Sequence, residues 1–315
     1  MSIIVFGSIN IDLVAKTPRL PLPGETIIGS NFLTAGGGKG ANQAVAAARL
    51  GASTHMIGRV GNDKFGEELL TNLQSFGLNT DNISIDQNSH SGVAIIAVDD
   101  GGQNNIIVIP GANNHLGDAD IELLQKLLPG ATSLLLQLEI PLEVVHRAAL
   151  IACKAGVRVI LDPAPARSDL PLELYPLIDT IAPNEVEASQ LVGFAVHDTE
   201  TAIKAAKKLQ QRGVKNAIVK LGDRGVVAVT ADRTLFVPAF AVEAIDTVAA
   251  GDAFNGGLAA ALDAGLSLEE AVVWGAAAGA LCVTKMGAQV AMCDRATFDA
   301  FLDCFPIISL TVASE

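Results

Sequence analysis

Short apolar runs alternate with Ala- and Leu-rich stretches along most of this 315-residue chain. Ile3–Phe6 and Met56–Val60 predict buried strands, and Asn42–Leu50 and Asp63–Phe76 predict helices. Repeated strand-then-helix units form a parallel sheet with helices on both faces. We therefore predict an α/β fold with a doubly wound, mostly parallel sheet. Further strands are predicted at Leu134–Leu138, Val157–Leu161 and Ala217–Leu221, and further helices at Leu142–Ala155, Thr199–Gln211, Ala253–Ala264, Leu268–Val283 and Ala296–Phe305.

Four other predicted strands have no helices between them, and a proline-rich turn or a Gly/Asp turn joins each pair. We assign them to a small β-sheet that projects from the main domain and could act as a lid. The prediction is one α/β domain over residues 1–315, with lid segments at about 11–34 and 92–109 inserted in it. The four strands are Ile11–Ala15, Thr26–Thr34, Gly92–Val98 and Asn105–Ile109.

The charge of the chain limits its partners. The net charge is -13 and the pI is about 4.8, so the surface repels nucleic acid and anionic membranes at long range. Aromatic residues make up only 4%, too few for a base-stacking platform. We predict small-molecule partners, and neither nucleic acid nor membrane. A site for ATP on such a surface needs local attraction from helix N-termini, backbone amides and metal ions.

Features of the sequence favour a cytoplasmic location. The N-terminus MSIIVFGSINID has no basic start and only a brief apolar run, so we predict no signal peptide. No apolar run reaches the ~18 residues of a membrane helix. The four cysteines form no C-x-x-C pair, which is typical of buried thiols in a reducing compartment.

The segment DTVAAGDAFNGG, which starts at Asp246, runs into a predicted helix. Glycine before a helix lets backbone amides face a ligand, and the helix dipole favours an anion there. Asp252 in the first turn could take a proton from a hydroxyl that attacks phosphorus. The alternative is ordinary helix capping, because Asp is a good N-cap. The small residues around it and the second acid, Asp246, favour the catalytic interpretation.

Two glycine-containing segments near the N-terminus also predict ligand binding. GGGKGANQA, from Gly36, can approach a ligand closely, but Gly40 stands where a Walker A loop needs Ser or Thr. The alternative is a lid hinge, and both interpretations are compatible. GSINID, from Gly7, lacks G-x-G-x-x-G, which argues against a dinucleotide-binding dehydrogenase. Asn10 and Asp12 lie on one face of an extended segment and can bind hydroxyls.

Three further segments lie where α/β sites gather, although each alone is more typical of a structural role. Gln137–Glu139 ends a strand, Pro183–Glu187 opens a helix, and Lys220–Gly225 ends a strand in a glycine turn.

Together these segments resemble the ribokinase-like (pfkB) family of sugar kinases, from Gly7 to Phe301. Two stretches carry most of the resemblance: GGKGANQAVAA from Gly37 and DTVAAGDAFNG from Asp246. The resemblance implies a doubly wound sheet with a β lid that also forms a homodimer contact. It implies ATP-dependent phosphorylation of D-ribose at the 5-hydroxyl to give ribose 5-phosphate and ADP. Mg²⁺ and an activating monovalent cation, K⁺, are implied as cofactors.

The resemblance also implies a role for individual residues. The catalytic base is Asp252, and the amides of Ala249, Ala250, Gly251 and Asp252 form an anion hole. The sugar is held by Asn10, Asp12, Gly38, Lys39, Gly40, Ala41, Asn42, Glu139 and Asp252. ATP is held by Asn184, Lys220, Leu221, Gly222, Asp223, Arg224, Gly225, Gly251 and Ala276. Asn184 and Glu187 act indirectly on Mg²⁺. The K⁺ ligands, largely backbone carbonyls, are Asp246, Val248, Cys282, Lys285, Gly287 and Ala291.

The sequence departs from the family pattern at a few positions. Residue 253 is Ala where Thr or Ser is common, and Ala276 replaces a polar residue near the adenine. Val290-Ala291 replaces Pro-Ser, which removes one side-chain oxygen from the cation site. Two alternatives to a ribose kinase stay open: a kinase of deoxyribose, another pentose or a nucleoside, and a non-catalytic sugar sensor on the same fold. An intact Asp252 argues against the sensor, because binding alone needs no base.

Overall fold

The computed structural model of the chain describes residues 1–305 and 311–312. The strands in these residues are β1 Ser2–Phe6, β2 Asn10–Thr17, β3 Asn31–Gly37, β4 Thr54–Gly61, β5 Ile83–Asp86, β6 Gly92–Asp99, β7 Asn104–Ile109, β8 Ala131–Leu136, β9 Arg158–Leu161, β10 Thr180–Ile181, β11 Asn216–Lys220, β12 Val226–Val229, β13 Thr234–Val237 and β14 Thr311–Val312. The α-helices are α1 Lys39–Arg49, α2 Lys64–Ser75, α3 Asp118–Leu127, α4 Leu142–Lys154, α5 Glu185–Val192, α6 Thr199–Gln211, α7 Ala250–Asp263, α8 Leu268–Cys282 and α9 Arg295–Asp303.

The larger of two sheets has ten strands, in the order β14-β13-β12-β11-β10-β9-β8-β1-β4-β5. The strands from β11 to β5 are parallel, whereas β12, β13 and β14 add an antiparallel edge. The predicted mostly parallel sheet is therefore confirmed. The antiparallel edge was missed because β12 and β13 have only four residues each and follow β11 through short turns, without helices.

Helices cover both faces of this sheet, as predicted. Along β1, Ile3 and Val5 point into one core, while Ile4 and Phe6 point into the other. This alternation follows from the two-residue period of a strand. The first core is completed by α1, α2, α7, α8 and α9, and the second by α3, α4, α5 and α6.

The smaller sheet has four strands in the order β3-β2-β6-β7. These are the four strands predicted to lack helices between them, although the predicted bounds Thr26–Thr34 for the second were wrong. β3 spans Asn31–Gly37 because it pairs with β2 until Gly37 lies opposite Asn10. Glycine fits there because a Cβ on Gly37 would lie 2.3 Å from a carboxylate oxygen of Asp12. The lid role and the single-domain organisation stay predictions.

Within residues 1–305 and 311–312, no helix is both long enough and apolar enough to cross a membrane.

Candidate active site

The site lies at the carboxyl ends of β1 and β8, which are neighbours in the large sheet. From β1 the chain first forms the side of the sheet that contains β4 and β5. It later forms the other side, from β8 to β11. Ligands of open α/β sheets bind at such a switch point. Ser8, after β1, donates a hydrogen bond of 2.6 Å to Glu139, after β8. The structure thus brings together two segments that the sequence singled out separately.

Glu139 connects several predicted sugar-binding residues. Besides Ser8, its Oε2 accepts the backbone amide of Lys39 at 3.2 Å and the Asn10 side chain at 3.5 Å. The Oδ1 atom of Asn10 in turn accepts from Nδ2 of Asn113 at 2.7 Å. Ser8 and Asn113 were not predicted. Asn113 lies in a short 3-10 turn after β7, and no sequence pattern indicates that it reaches Ile9 and Asn10 at the start of β2.

The carboxylate of Asp12 faces this region. Burial first, and then the nearby charges of Glu139 and Asp252, raise its pKa from 3.8 to about 7. Three carboxylates close to one another form a set of acceptors that favours a ligand rich in hydroxyl donors. Bound hydroxyls would favour the charged form of Asp12, because hydrogen bonds to a carboxylate stabilise it.

Helix α7 begins at Ala250, three residues before its predicted start. Glycine is a poor helix former, so the sequence pattern placed the start after Gly251. Ala249, not Asp252, is the N-cap; it has a left-handed conformation with φ 59°, and no side chain of the described residues makes a capping hydrogen bond there. The capping interpretation of Asp252 was therefore wrong. Among the described residues, the amides of Gly251 and Asp252 donate to no backbone carbonyl, as expected in the first turn of a helix.

Asp252 is a buried carboxylate, with a side chain only 5% exposed. Its Oδ2 accepts from Nδ2 of Asn42 at 2.9 Å, and its Oδ1 accepts from Nε2 of Gln43 at 3.0 Å. Burial raises its pKa from 3.8 to about 6, with a smaller opposing effect of the nearby Lys39 charge. Asp252 is therefore ionised at neutral pH and can accept a proton. Both amide donors lie on α1. This helix begins at Lys39 rather than at the predicted Asn42, because Gly40, like Gly251 in α7, is a poor helix former.

Asp162 shares the Gln43 donor with Asp252 and also pairs with Lys220. It follows β9, is buried, and accepts from Gln43 at 2.9 Å and from Nζ of Lys220 at 3.3 Å. Nζ of Lys220 also lies 3.3 Å from where a Cβ on Gly251 would be. The Lys220 ammonium group thus lies beside the free backbone amides at the start of α7. Asp162 was missed, although its position directly after a predicted strand was a usable signal.

The predicted ATP segments also meet near Lys220. Asn184 forms an isolated β-bridge with Lys220. Asn184 is the N-cap of α5 and shares a capping box with Glu187, whose Oε1 and Oε2 accept the Asn184 side chain at 2.9 Å and its backbone amide at 2.8 Å. Leu221 is buried, and Gly222–Arg224 form a single 3-10 turn that continues into Gly225.

Close packing fixes this turn. Gly225 has φ 112°, and a Cβ there would lie 2.2 Å from the carbonyl oxygen of Val237. Arg224 pairs with Glu185 on α5, whereas Asp223 is exposed. Ala276 lies half-buried on α8, which packs along α7.

Close contacts connect most of the predicted cation residues. Asp246 accepts the backbone amides of Val248 at 3.0 Å and Gly287 at 2.8 Å. The Cys282 thiol lies 3.7 Å from the carbonyl oxygen of Val248. Burial, followed by nearby acidic groups, raises the pKa of Cys282 to about 12, so any contribution to a cation comes from its carbonyl. Lys285 is exposed on the same loop, and Ala291 is buried.

Comparison with known proteins identifies the family. The profile of the pfkB family of carbohydrate kinases matches residues 1–295. The chain belongs to this family. As a carbohydrate kinase, it has the doubly wound sheet that the resemblance implied.

Individual relatives cover nearly the whole kinase. A ribokinase of Haemophilus influenzae is 42% identical over 95% of this chain and 97% of its own length. A deoxyribokinase of Salmonella typhi is 40% identical over 81% of this chain and 84% of its own length. The structure of Arabidopsis thaliana ribokinase complexed with ribose and ATP superimposes with a TM-score of 0.88, at 35% identity, covering 96% of this chain and 98% of that one.

Proposed function

We propose that this kinase transfers the γ-phosphoryl group of ATP to the 5-hydroxyl of D-ribose, giving ribose 5-phosphate and ADP. The observation that carries the proposal is the environment of Asp252. It is a buried carboxylate that lies near the carboxylates of Asp12 and Glu139 on one side and near the free helix amides and Lys220 on the other. The ribokinase relatives, one of them solved with ribose and ATP, support ribose as the acceptor.

In the proposed mechanism, Asn10, Asp12 and Glu139 hold the sugar so that its 5-hydroxyl faces Asp252. Asp252 takes the hydroxyl proton as the oxygen attacks the γ-phosphorus. The bond from phosphorus to the bridging β-oxygen breaks, and ADP leaves. The amides of Gly251 and Asp252 face the negative charge of the transferring group, where preorganised donors have their largest effect.

Ribose should be a clearly better substrate than 2-deoxyribose. A buried site built for a hydroxyl leaves polar groups unpaired when the hydroxyl is missing, at a cost of about 1–3 kcal/mol, or roughly 5- to 150-fold in kcat/KM. Coupled assay of ADP release with both sugars measures this ratio. A ratio near one would favour the deoxyribose alternative, which the Salmonella typhi relative represents.

Asn184 and Glu187 would position Mg²⁺ at the phosphates of ATP, and the ion would neutralise part of their negative charge. Both carboxylate oxygens of Glu187 already accept hydrogen bonds from Asn184, which suits an indirect, water-mediated role. Mg²⁺ commonly keeps several of its waters in such sites.

The Asp246 loop would hold the monovalent cation. Its carboxylate and the carbonyl of Val248, whose only hydrogen bond within the described residues is the long one from Cys282, are the oxygen ligands that a hard cation prefers. Ala291 supplies only its carbonyl, so we expect a weakened site rather than a lost one.

Potassium should therefore activate the enzyme, because a bound cation would steady the turn that leads into Gly251. Activity is compared at fixed ionic strength with potassium and with tetramethylammonium. Equal rates in both salts would mean that the loop is only a structural turn.

We also propose a homodimer formed through the small sheet. The sheet exposes large apolar side chains on both of its faces, which is unusual for a surface without a partner. By the strand register, the face that carries Ile107 also carries Phe32, Ile95 and Ile109, and the opposite face carries Leu33, Ile106 and Val108.

Ile107→Asp should convert the dimer to a monomer, because it places a charge within the apolar contact. Light scattering after size exclusion measures the mass. Leu172→Asp is the matched control, since Leu172 is also exposed but lies outside the small sheet. A dimeric Ile107→Asp variant, or a monomeric wild type, would contradict this interface.

The cytoplasm is our proposed location. It is supported by the four cysteines, which form no disulfide.

A further inference from the structure

Three side-chain amides form a hydrogen-bonded chain that ends on Asp252. Nδ2 of Asn72 donates to Oε1 of Gln289 at 2.6 Å, and Nε2 of Gln289 donates to Oδ1 of Asn42 at 3.2 Å. Nδ2 of Asn42 then donates to Oδ2 of Asp252 at 2.9 Å. We call Asn72, Gln289 and Asn42 the amide relay. Its members come from α2, from the 3-10 helix Gln289–Ala291 and from α1.

The direction of the amide relay follows from the chemistry of its last member. An ionised carboxylate can only accept, so Asn42 must turn its NH₂ group towards Asp252. The carbonyl oxygen of Asn42 then faces Gln289 and needs a donor. Gln289 must therefore present its NH₂ group, which leaves its own oxygen facing Asn72. Each amide thus has one orientation that pairs both of its ends.

Gln289 is the central member of the relay and has little freedom to turn. Its side chain is only 2% exposed, and its NH₂ group also lies 3.4 Å from the carbonyl oxygen of Gly37. A Cβ on Gly36 would lie 2.5 Å from Nδ2 of Asn72 and 2.8 Å from Oε1 of Gln289. The relay is therefore packed directly against the end of β3. Neither Asn72 nor Gln289 has a role in the proposed binding or catalytic sets.

We propose that Asn72 and Gln289 are positioning residues, which act through Asn42 by fixing the orientation of its amide. This inference rests on the proposed function, because Asn42 touches the base and belongs to the predicted sugar-binding set. If Asn42 turned over, its oxygen would face the Asp252 carboxylate, and a hydrogen bond would be replaced by repulsion. The pair also ties α2 and the loop after α8 to the base.

Reversing the polarity of the relay at its far end is the test. In Asn72→Asp the new carboxylate can only accept, so Gln289 has to turn its NH₂ group towards it. The oxygen of Gln289 then faces Asn42. Asn42 has to turn its NH₂ group towards that oxygen, which leaves its own oxygen facing Asp252. Asn72→Leu removes one donor but leaves the bonds of Gln289 to Asn42 and Gly37 in place. Gln74→Glu, on the exposed side of the same helix, controls for the added charge.

We expect Asn72→Asp to lower kcat and weaken ribose binding by about 10-fold or more, the range for a buried hydrogen bond to a charged group. Asn72→Leu should lose less, and Gln74→Glu should match the wild type. Ribose affinity is measured by calorimetry without ATP, and thermal unfolding checks the fold. A merely structural role for Asn72 predicts the opposite order, with the isosteric Asp variant milder than Leu.

Gln289→Glu and Gln289→Leu repeat the comparison at the buried centre of the relay, and they replace the first pair if Asn72→Asp does not fold. The inference is overturned if each acidic variant equals or exceeds its apolar partner in kcat and ribose affinity. A wild type that phosphorylates no sugar would instead overturn the proposed function, so the two failures are distinct.

Discussion

Replacing Asp252 by Asn should lower kcat by about 10²- to 10⁴-fold, the usual contribution of a general base. The side chain keeps its size, but it can no longer take the proton of the sugar hydroxyl. Single-turnover assays at saturating ribose and ATP measure the chemical step. A variant that keeps more than about a tenth of the wild-type rate in that step would exclude Asp252 as the base, given the range above.

The pH dependence of the same step gives a second readout. Because burial raises the pKa of Asp252 to about 6, wild-type kcat should fall as the pH drops through that value and Asp252 becomes protonated. The Asn variant should lack this acid limb in its residual rate.

The stability of the Asn variant is the control for folding. The pKa of Asp252 in the folded state lies above its ordinary value, so ionising it costs stability as the pH rises through about 6. The uncharged Asn variant regains this stability, but its NH₂ group faces the donor of Asn42 or Gln43, so its unfolding temperature at pH 8 should stay close to that of the wild type. A large drop in its unfolding temperature would mean that lost activity reflects lost structure.

Lys220→Met should lower kcat by about 10²- to 10³-fold, comparable to the loss of one preorganised donor at a developing charge. Its ammonium lies 3.3 Å from Asp162 and beside Gly251, whose amide we propose faces the transferring phosphoryl group. Its removal also leaves the Asp162 carboxylate without its neighbouring cation. Asp162 accepts a hydrogen bond of 2.9 Å from the same Gln43 amide group that donates to Asp252. Steady-state kinetics in ribose and ATP separate the effect on kcat from the effect on KM.

Lys215→Met is the matched control, because Lys215 pairs with Asp179 just before the same strand and is 67% exposed. It should keep the wild-type kcat. If Lys220→Met raises only the KM for ATP and leaves kcat unchanged, Lys220 binds the nucleotide without contributing to the chemical step.

The fold was largely predictable because its signals are local. Runs such as Ile3–Phe6 and Thr199–Gln211 have the period and length of a buried strand and an amphipathic helix, and both elements form there. The starts of α1 and α7 were placed too late, because Gly40 and Gly251 are poor helix formers. In both helices the glycine-containing first turn is the part that faces the site, so function overrides local propensity there.

The site was only partly predictable. Asp252 and Asn42 lie in glycine-containing motifs that point to ligand binding from the sequence alone, whereas Glu139 was assigned to the site only through the family resemblance. Asp162 and Gln289 connect to them only through tertiary contacts, and Gln43, although it lies inside the GGGKGANQA motif, also reaches Asp252 through such a contact. A single glutamine has no local pattern that separates a buried hydrogen-bonding role from a surface position. The structure supplies these contacts by bringing α1, β9 and the loop after α8 together.

The most direct test of the central claim is the turnover of a panel of pentoses, hexoses and nucleosides, followed by ADP release and by NMR identification of the product. The account predicts that ribose has the highest kcat/KM and that its product carries the phosphate on the 5-oxygen. A different preferred sugar, phosphate at another position, or ribose binding without ADP release would contradict it.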